Sequence, residues 1–254
     1  MNAILDSRKI LIIGAGTSYH AGLVGDYLLT SMLGLDTHTL ISSEYRKYLN
    51  AVNDGDTVIA ISQSGGETID TLVAVRAFKE RGAKIIAISN VIDSAIPRES
   101  NYVLYTRAGP EIGVAATKTF TTQLTVLTIL ALKIGGVATG KLTTNEYRSA
   151  MDMIGKIPGL LQNVITKTEG KVKALSEHMS KKQSAYYLGR GGIGVPLSME
   201  GALKLKEIAY IHAEAYPAGE SKHGPIALVE ENYPVVFSIL DDDNADACSV
   251  TSWR

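Results

Sequence analysis

The sequence predicts a three-layer α/β fold: a doubly wound parallel sheet, followed by a second and incomplete copy of the same unit. Three observations predict it. Short, continuously apolar runs recur along the chain. Segments with helical spacing separate them. The strand, glycine turn, helix pattern then restarts in the second half. Runs without polar alternation suit strands buried on both faces of a parallel sheet. Strands that alternate with helices require crossovers, which are right-handed in layered α/β folds.

The elements follow in order. Lys9–Ile13 is apolar after its lysine and runs into Gly14. Tyr19 to Leu33 has helical spacing. Thr57–Ile61 is the second strand and ends in Ser-Gln-Ser-Gly-Gly. Thr68 to Arg81 places Leu72, Val75, Ala77 and Phe78 as a helix would. Lys84–Ile88 is a third strand, and Tyr102–Tyr105 supplies a further one. A long helix is expected from Thr117 to about Ile134. Gly135–Gly140 is the candidate linker, which divides the chain into units at 1–140 and 141–254. Helical segments follow to about Lys182. Ala185–Gly189 reopens the pattern, and Pro234–Leu240 reads as another buried strand. The first unit is thus expected to hold four or five strands and the second two or three. The tail, Asp241–Arg254, is polar and aperiodic, and no function is assigned to it.

Composition narrows the function classes. Of 254 residues, 45% are apolar and 20% charged, an ordinary profile for a soluble globular protein. A formal net charge of -1 gives no bulk electrostatic reason to expect nucleic acid or an anionic membrane as partner. One cysteine, Cys248, excludes an internal disulfide framework, and no Cys/His spacing reads as a metal site. The start, MNAILDSRK, lacks the apolar stretch of a signal peptide. The apolar-leaning run Leu124–Gly136 is interrupted by Thr125, Thr128 and Lys133, and is read as too short to span a bilayer. A cytoplasmic location is expected.

Ligands of open parallel sheets lie beyond the carboxyl ends of the strands, beside glycine-rich turns. The first such turn is Gly14-Ala15-Gly16-Thr17-Ser18-Tyr19. Its Gly-x-Gly, with Asp36 about 20 residues on, partly matches a dinucleotide fingerprint, but Tyr19 replaces the third glycine. A capped helix start, with Thr17 or Ser18 as cap, is the plainer reading and is compatible with ligand binding. The second turn is Ser62-Gln63-Ser64-Gly65-Gly66-Glu67-Thr68. It leaves a buried strand and opens a helix. Glycines admit a ligand to the backbone, and helix-start N–H groups with the helix dipole favour an anion. The hydroxyls and the amide add neutral donors. This is a metal-free phosphate site or, more plainly, a hydroxyl-rich capped turn. Gly135–Lys141 has P-loop spacing, but Leu142 stands where Ser or Thr is needed and the stretch follows a helix, so nucleotide hydrolysis is not expected.

Acid/base candidates lie in the second half. Glu200, Lys204 and Glu207 share one helix face. A solvated ion-pair ladder is the ordinary reading of such a triplet. Here the helix opens after the glycine turn Gly189–Gly192, and Met199, Ala202, Leu203, Leu205 and Ile208 surround it. Apolar surroundings raise a carboxyl's pKa, which suits a base that abstracts a proton beside a carbonyl. Lys204 can polarise an oxygen. His223 lies in Gly219–Pro225, and histidine is a side chain that can open a sugar ring by acid/base transfer. His20, His38, His178 and His212 form no ligand spacing and read as structural.

Six motifs in order now carry a resemblance: Gly-Thr-Ser-Tyr at 16–19, Ser-Gln-Ser-Gly at 62–65, Glu-Ile-Gly-Val-Ala-Ala-Thr-Lys at 111–118, Glu-Gly-Ala-Leu-Lys-Leu-Lys-Glu at 200–207, His-Ala-Glu-Ala-Tyr at 212–216 and Lys-His-Gly-Pro at 222–225. From about Lys9 to Leu240 the chain resembles the isomerase half of the glutamine–fructose-6-phosphate aminotransferase (glucosamine-6-phosphate synthase) family. The resemblance implies the sugar-isomerase, or SIS, type of α/β fold. It implies that Ser62, Gln63, Ser64 and Thr68 hold the phosphate. Gly16, Thr17 and Ser18 then contact the sugar, and Val114 forms another wall. Glu207 is implied as the base that shuttles a proton between C1 and C2, with Lys204 as its charged neighbour. His223 is implied as the ring-opening histidine, reaching in from the adjacent subunit of a homodimer. Hexose 6-phosphates (fructose, glucosamine and glucose 6-phosphate) are the implied ligands, with no cofactor or metal.

The sequence also departs from that family. Ala15 stands where a cysteine is usual, and Gly65-Gly66 where one glycine is usual. The glutaminase domain and the C-terminal segment with its Schiff-base lysine have no counterpart, so binding and isomerisation are expected rather than the full synthase reaction. Three alternatives remain open: a stand-alone glucosamine-6-phosphate deaminase, an aldose–ketose isomerase without nitrogen chemistry, and a non-catalytic sugar-phosphate sensor.

Overall fold

The computed structural model describes residues 1–240; the polar tail and Cys248 lie outside the described residues. The described chain divides into two compact units between Met151 and Asp152.

In the first unit the order is α1 (Asn2–Leu5), β1 (Ile10–Gly14), α2 (Thr17–Tyr27), β2 (Thr37–Ile41), α3 (Arg46–Leu49), β3 (Thr57–Ser62), α4 (Ile69–Glu80), β4 (Lys84–Ser89), α5 (Ala95–Glu99), β5 (Tyr102–Tyr105) and α6 (Lys118–Lys133). All five strands are parallel, in the order β2-β1-β3-β4-β5. β1 and β3 are buried along their whole length, as continuous apolar runs require. Ile10, Ile12, Ile59, Ile61 and Ile88 face one core with Leu127 and Ala131; Leu11, Ile13, Val58, Val75 and Phe78 face the other. Period-two alternation within each strand feeds both layers, and each fully buried branched side chain contributes about 1.5–3 kcal/mol. The three-layer doubly wound fold is therefore observed.

β2 was not among the expected strands. It is an edge strand in which only Thr37 and Leu40 are buried, so Thr-His-Thr-Leu-Ile lacks the continuous apolar signal. The expected bilayer-incompatible run is also corrected. α6 and the turn after it, Lys118–Ala138, are long and apolar enough by length and composition to cross a membrane. The helix starts earlier than the apolar run, and its three polar interruptions fit within it. In the structure it is a core helix: Leu127, Ala131 and Ile134 are buried in the first unit. Nor is Gly135–Gly140 an open linker. Residues Ile134–Ala138 prolong α6 as a π-type turn. A β-carbon at Gly135 would crowd Leu33 and Leu142, and one at Gly136 would crowd Tyr147. Those glycines serve packing.

α7 (Thr144–Met179) runs across the division between the units as one 36-residue helix. In the second unit β6 (Ser184–Gly189), α8 (Gly191–Ala209), β7 (His212–Pro217) and β8 (Val235–Ser238) follow. The three strands are parallel, in the order β7-β6-β8. β7 escaped the sequence reading for the same reason as β2: it is an edge strand, with polar residues alternating along it.

Candidate functional site

In the first sheet the chain moves outward from β1 to β2, then returns to place β3 on the other side of β1. The strand order reverses between β1 and β3, and ligands of open α/β sheets bind at such switch points. Ile13 pairs with Ala60, so Gly14–Ser18 and Ser62–Thr68 emerge side by side at the carboxyl edge. Gly16, Thr17, Ser18, Ser62, Gln63, Ser64 and Thr68 are thus gathered by strand pairing alone. Asp36, the acid of the dinucleotide alternative, is exposed and sits 3.0 Å from His38 Nε2.

The turn after β3 is shaped by two glycines with positive φ, Gly65 at 73° and Gly66 at 151°. A β-carbon at Gly65 would meet Ser94 Oγ at 1.8 Å, and one at Gly66 would meet Ala95 Cβ at 2.9 Å. Both glycines therefore lie against the β4–α5 turn, and the Gly65 carbonyl accepts from the Ile96 N–H at 2.7 Å. The second glycine is accommodated by this close approach. Ser62 Oγ accepts from the Gly65 N–H at 3.0 Å, and Ser64 Oγ from the Glu67 N–H at 3.2 Å. A hydroxyl that accepts from its own backbone keeps its proton for another acceptor. Ser62 and Ser64 are consequently arranged as donors to a group arriving at the turn. Thr68 caps α4 by position, with no side-chain cap bond of its own.

Ser18, at the start of α2, follows the same logic. Its Oγ accepts a hydrogen bond of 3.0 Å from Gln123 Nε2 on α6, and both residues are buried. Val114 lies in the segment between β5 and α6 and is 94% exposed. That segment is tied down by Glu111. Its Oε2 accepts from the N–H groups of Thr117 and Thr119, both at 3.1 Å, and from Thr119 Oγ1 at 2.7 Å. Oε1 accepts from Thr117 Oγ1 at 3.1 Å. Burial pushes the Glu111 carboxyl up, but these four hydrogen bonds outweigh it and leave the group more acidic than an ordinary glutamate. Sequence reasoning singled out neither Glu111 nor Gln123. The Glu-x5-Thr-x-Thr spacing is a retrospective cue for the first, since a carboxylate ahead of a helix start can cap it. No local cue marks the second.

In the second unit, Lys204 Nζ on α8 lies 3.1 Å from Glu200 Oε1 and 2.6 Å from Glu207 Oε2. The three side chains are 7, 20 and 28% exposed in the order Glu200, Lys204, Glu207, so the triplet is turned inward and is not a solvated ladder. One ammonium orients two carboxylates. The glycine turn after β6 does not place them, however. Glu207 stands near the far end of α8, about 24 Å along the axis from Gly191. His223 ends a short 3-10 turn, Glu220–His223, and is exposed. Ser221 Oγ fixes that turn by donating to the Ala218 carbonyl at 2.7 Å.

The SIS domain family model matches residues 3–133 and 178–251. The chain is 53% identical over 246 residues to a glutamine–fructose-6-phosphate aminotransferase (isomerizing) of Pyrobaculum aerophilum, covering 96% of this chain and 39% of that protein. It is 53% identical over 240 residues to the protein of the same name from Sulfolobus acidocaldarius, covering 94% of this chain and 38% of that protein. The chain thus spans about two fifths of the length of these curated relatives. Among solved structures, the C-terminal domain of glucosamine-fructose-6-phosphate aminotransferase from Francisella tularensis superposes with a TM-score of 0.92 at 40% identity, covering 98% of this chain and 69% of that one.

Proposed function

The chain belongs to the SIS domain family and groups there with the C-terminal, isomerising domains of glutamine–fructose-6-phosphate aminotransferases; from that premise we propose that it binds hexose 6-phosphates and moves a proton between C1 and C2 of the open-chain sugar. The observation that carries this reading is the turn Ser62–Thr68, set at the β1/β3 switch point, where Ser62 and Ser64 Oγ accept from the Gly65 and Glu67 N–H groups and so keep their own protons for a further acceptor. A phosphate there gains neutral donors and the positive end of α4 without a metal.

The remaining roles are assigned on the same basis. Gly16, Thr17 and Ser18 hold the sugar, and Val114 borders it. His223 transfers the proton that opens the ring. Glu207 takes a proton from the carbon beside the carbonyl, giving an enediolate, and returns it to the neighbouring carbon. The Lys204 ammonium, 2.6 Å from Glu207, orients that carboxylate and in this reading supplies positive charge for the oxygen that becomes negative. Fructose 6-phosphate is the ketose of this pair, with glucose 6-phosphate or, when ammonia is supplied, glucosamine 6-phosphate as the aldose. The working form in this reading is a cytoplasmic homodimer, with His223 donated by the adjacent subunit.

Titration calorimetry with fructose 6-phosphate and with fructose tests the proposal. Binding of the phosphate ester alone supports it, and equal or absent binding of both sinks it. An isomerisation assay with and without ammonia then separates proton transfer from amination.

A further inference from the structure

Gln123 occupies a position on α6 that the core would give to an apolar side chain. It shares the inward stripe with Leu127 and Ala131 and is 2% exposed. Its Nε2 donates to Ser18 Oγ at 3.0 Å, yet its Oε1 is buried without a hydrogen-bond partner. An unpaired amide oxygen in an apolar core costs stability that leucine or methionine there would not cost. The opposite assignment of the amide leaves both N–H groups unpaired, where this one leaves the oxygen and one N–H, and a buried orphan N–H is the rarer of the two. The structure tolerates this cost, and the one thing obtained in return is the bond to Ser18.

That bond has a directional consequence. Ser18 has one proton and two lone pairs. While Gln123 donates to the oxygen, the hydroxyl proton cannot point back at Gln123. The structure assigns Gln123 as a positioning residue that holds the Ser18 hydroxyl as an outward donor at the start of α2, beside the turn after β3. The inference rests on the reading of this crest as the sugar-phosphate site and deepens it. Ser18 joins Ser62 and Ser64 as a hydroxyl whose accepting side is occupied internally, so a ligand oxygen meets three preset donors. Preset donors spare the ligand the entropy of ordering them.

A double-substitution cycle tests the inference on the 254-residue chain, with fructose 6-phosphate as ligand in titration calorimetry. Gln123→Met keeps the volume and removes the donor; Gln123→Leu is the second variant should methionine disturb folding, which thermal unfolding reports. Gln123→Met and Ser18→Ala are each expected to weaken binding about fivefold to tenfold, the size of one hydrogen bond. The double variant is expected to bind no more weakly than Ser18→Ala alone, because Gln123 acts only through that hydroxyl. Losses that multiply, or unchanged binding by a folded Gln123 variant, overturn the inference and leave the functional reading intact. Failure of the unsubstituted chain to bind any hexose phosphate removes both.

Discussion

Gly65 faces Ser94 so closely that a β-carbon on the glycine would lie 1.8 Å from the serine oxygen and 2.7 Å from its Cβ. Its φ of 73° is also one that side-chain-bearing residues rarely adopt. Gly65→Ala should therefore destabilise the first unit by about 2–4 kcal/mol, combining the backbone and overpacking costs. Denaturant titration measures this, and adding Ser94→Gly should return only part of the crowding cost, since Ser89 Oγ would still lie 2.7 Å from the new β-carbon.

Ser64 and Thr68 belong to the turn proposed to hold the phosphate. Replacing both by Ala should weaken fructose 6-phosphate binding by about tenfold to several hundredfold, since hydrogen bonds to charged groups are the strong ones. Fructose binding should not change. Calorimetry with the two sugars checks the difference, and parallel losses would take the phosphate away from this turn.

Glu207→Gln keeps the shape of the triplet on α8 but removes its basic oxygen. Deuterium exchange at C1 and C2 of the sugar phosphate should fall by about 100- to 10,000-fold with binding retained. Exchange in heavy water followed by NMR measures it. Undiminished exchange would remove Glu207 from proton transfer.

Glu111 holds the segment bearing Val114, and its hydrogen bonds depress its pKa below the ordinary value of 4.5 despite the opposing effect of burial. A carboxyl whose folded pKa is depressed contributes stability that is fully present above its unfolded pKa. That contribution is lost as pH falls through the folded pKa. The stability gap between the natural chain and Glu111→Gln should be constant near neutrality and shrink below about pH 4.5. Denaturation midpoints measured from pH 7 to 3 test this, and a gap independent of pH would mean that charge is not what secures the segment.

The residues of β1, β3 and β4 were legible because each strand, or most of it, is a compact apolar run between turn residues, and their side chains report burial on both faces directly. β5 was legible from Tyr-Val-Leu-Tyr, although it is an edge strand. The turn Ser62–Thr68 was legible as a turn: Ser-Gln-Ser-Gly-Gly-Glu-Thr directly after such a run specifies donors, a tight bend and a helix start in seven consecutive residues. β2 and β7 were not, because polar residues interrupt both and neither forms a continuous apolar run.

Local sequence alone determined the strands, the turn chemistry and the common helix face of Glu200, Lys204 and Glu207, since those follow from periods of two and 3.6 residues. Tertiary structure decided two further things. It set the β2-β1-β3 order that brings the first glycine turn beside the second. It brought Gln123 to Ser18, 105 residues away. The physical reason is the same in each case: pairing order and helix packing are settled by burying surfaces distant in sequence, and no window of neighbouring residues contains that information.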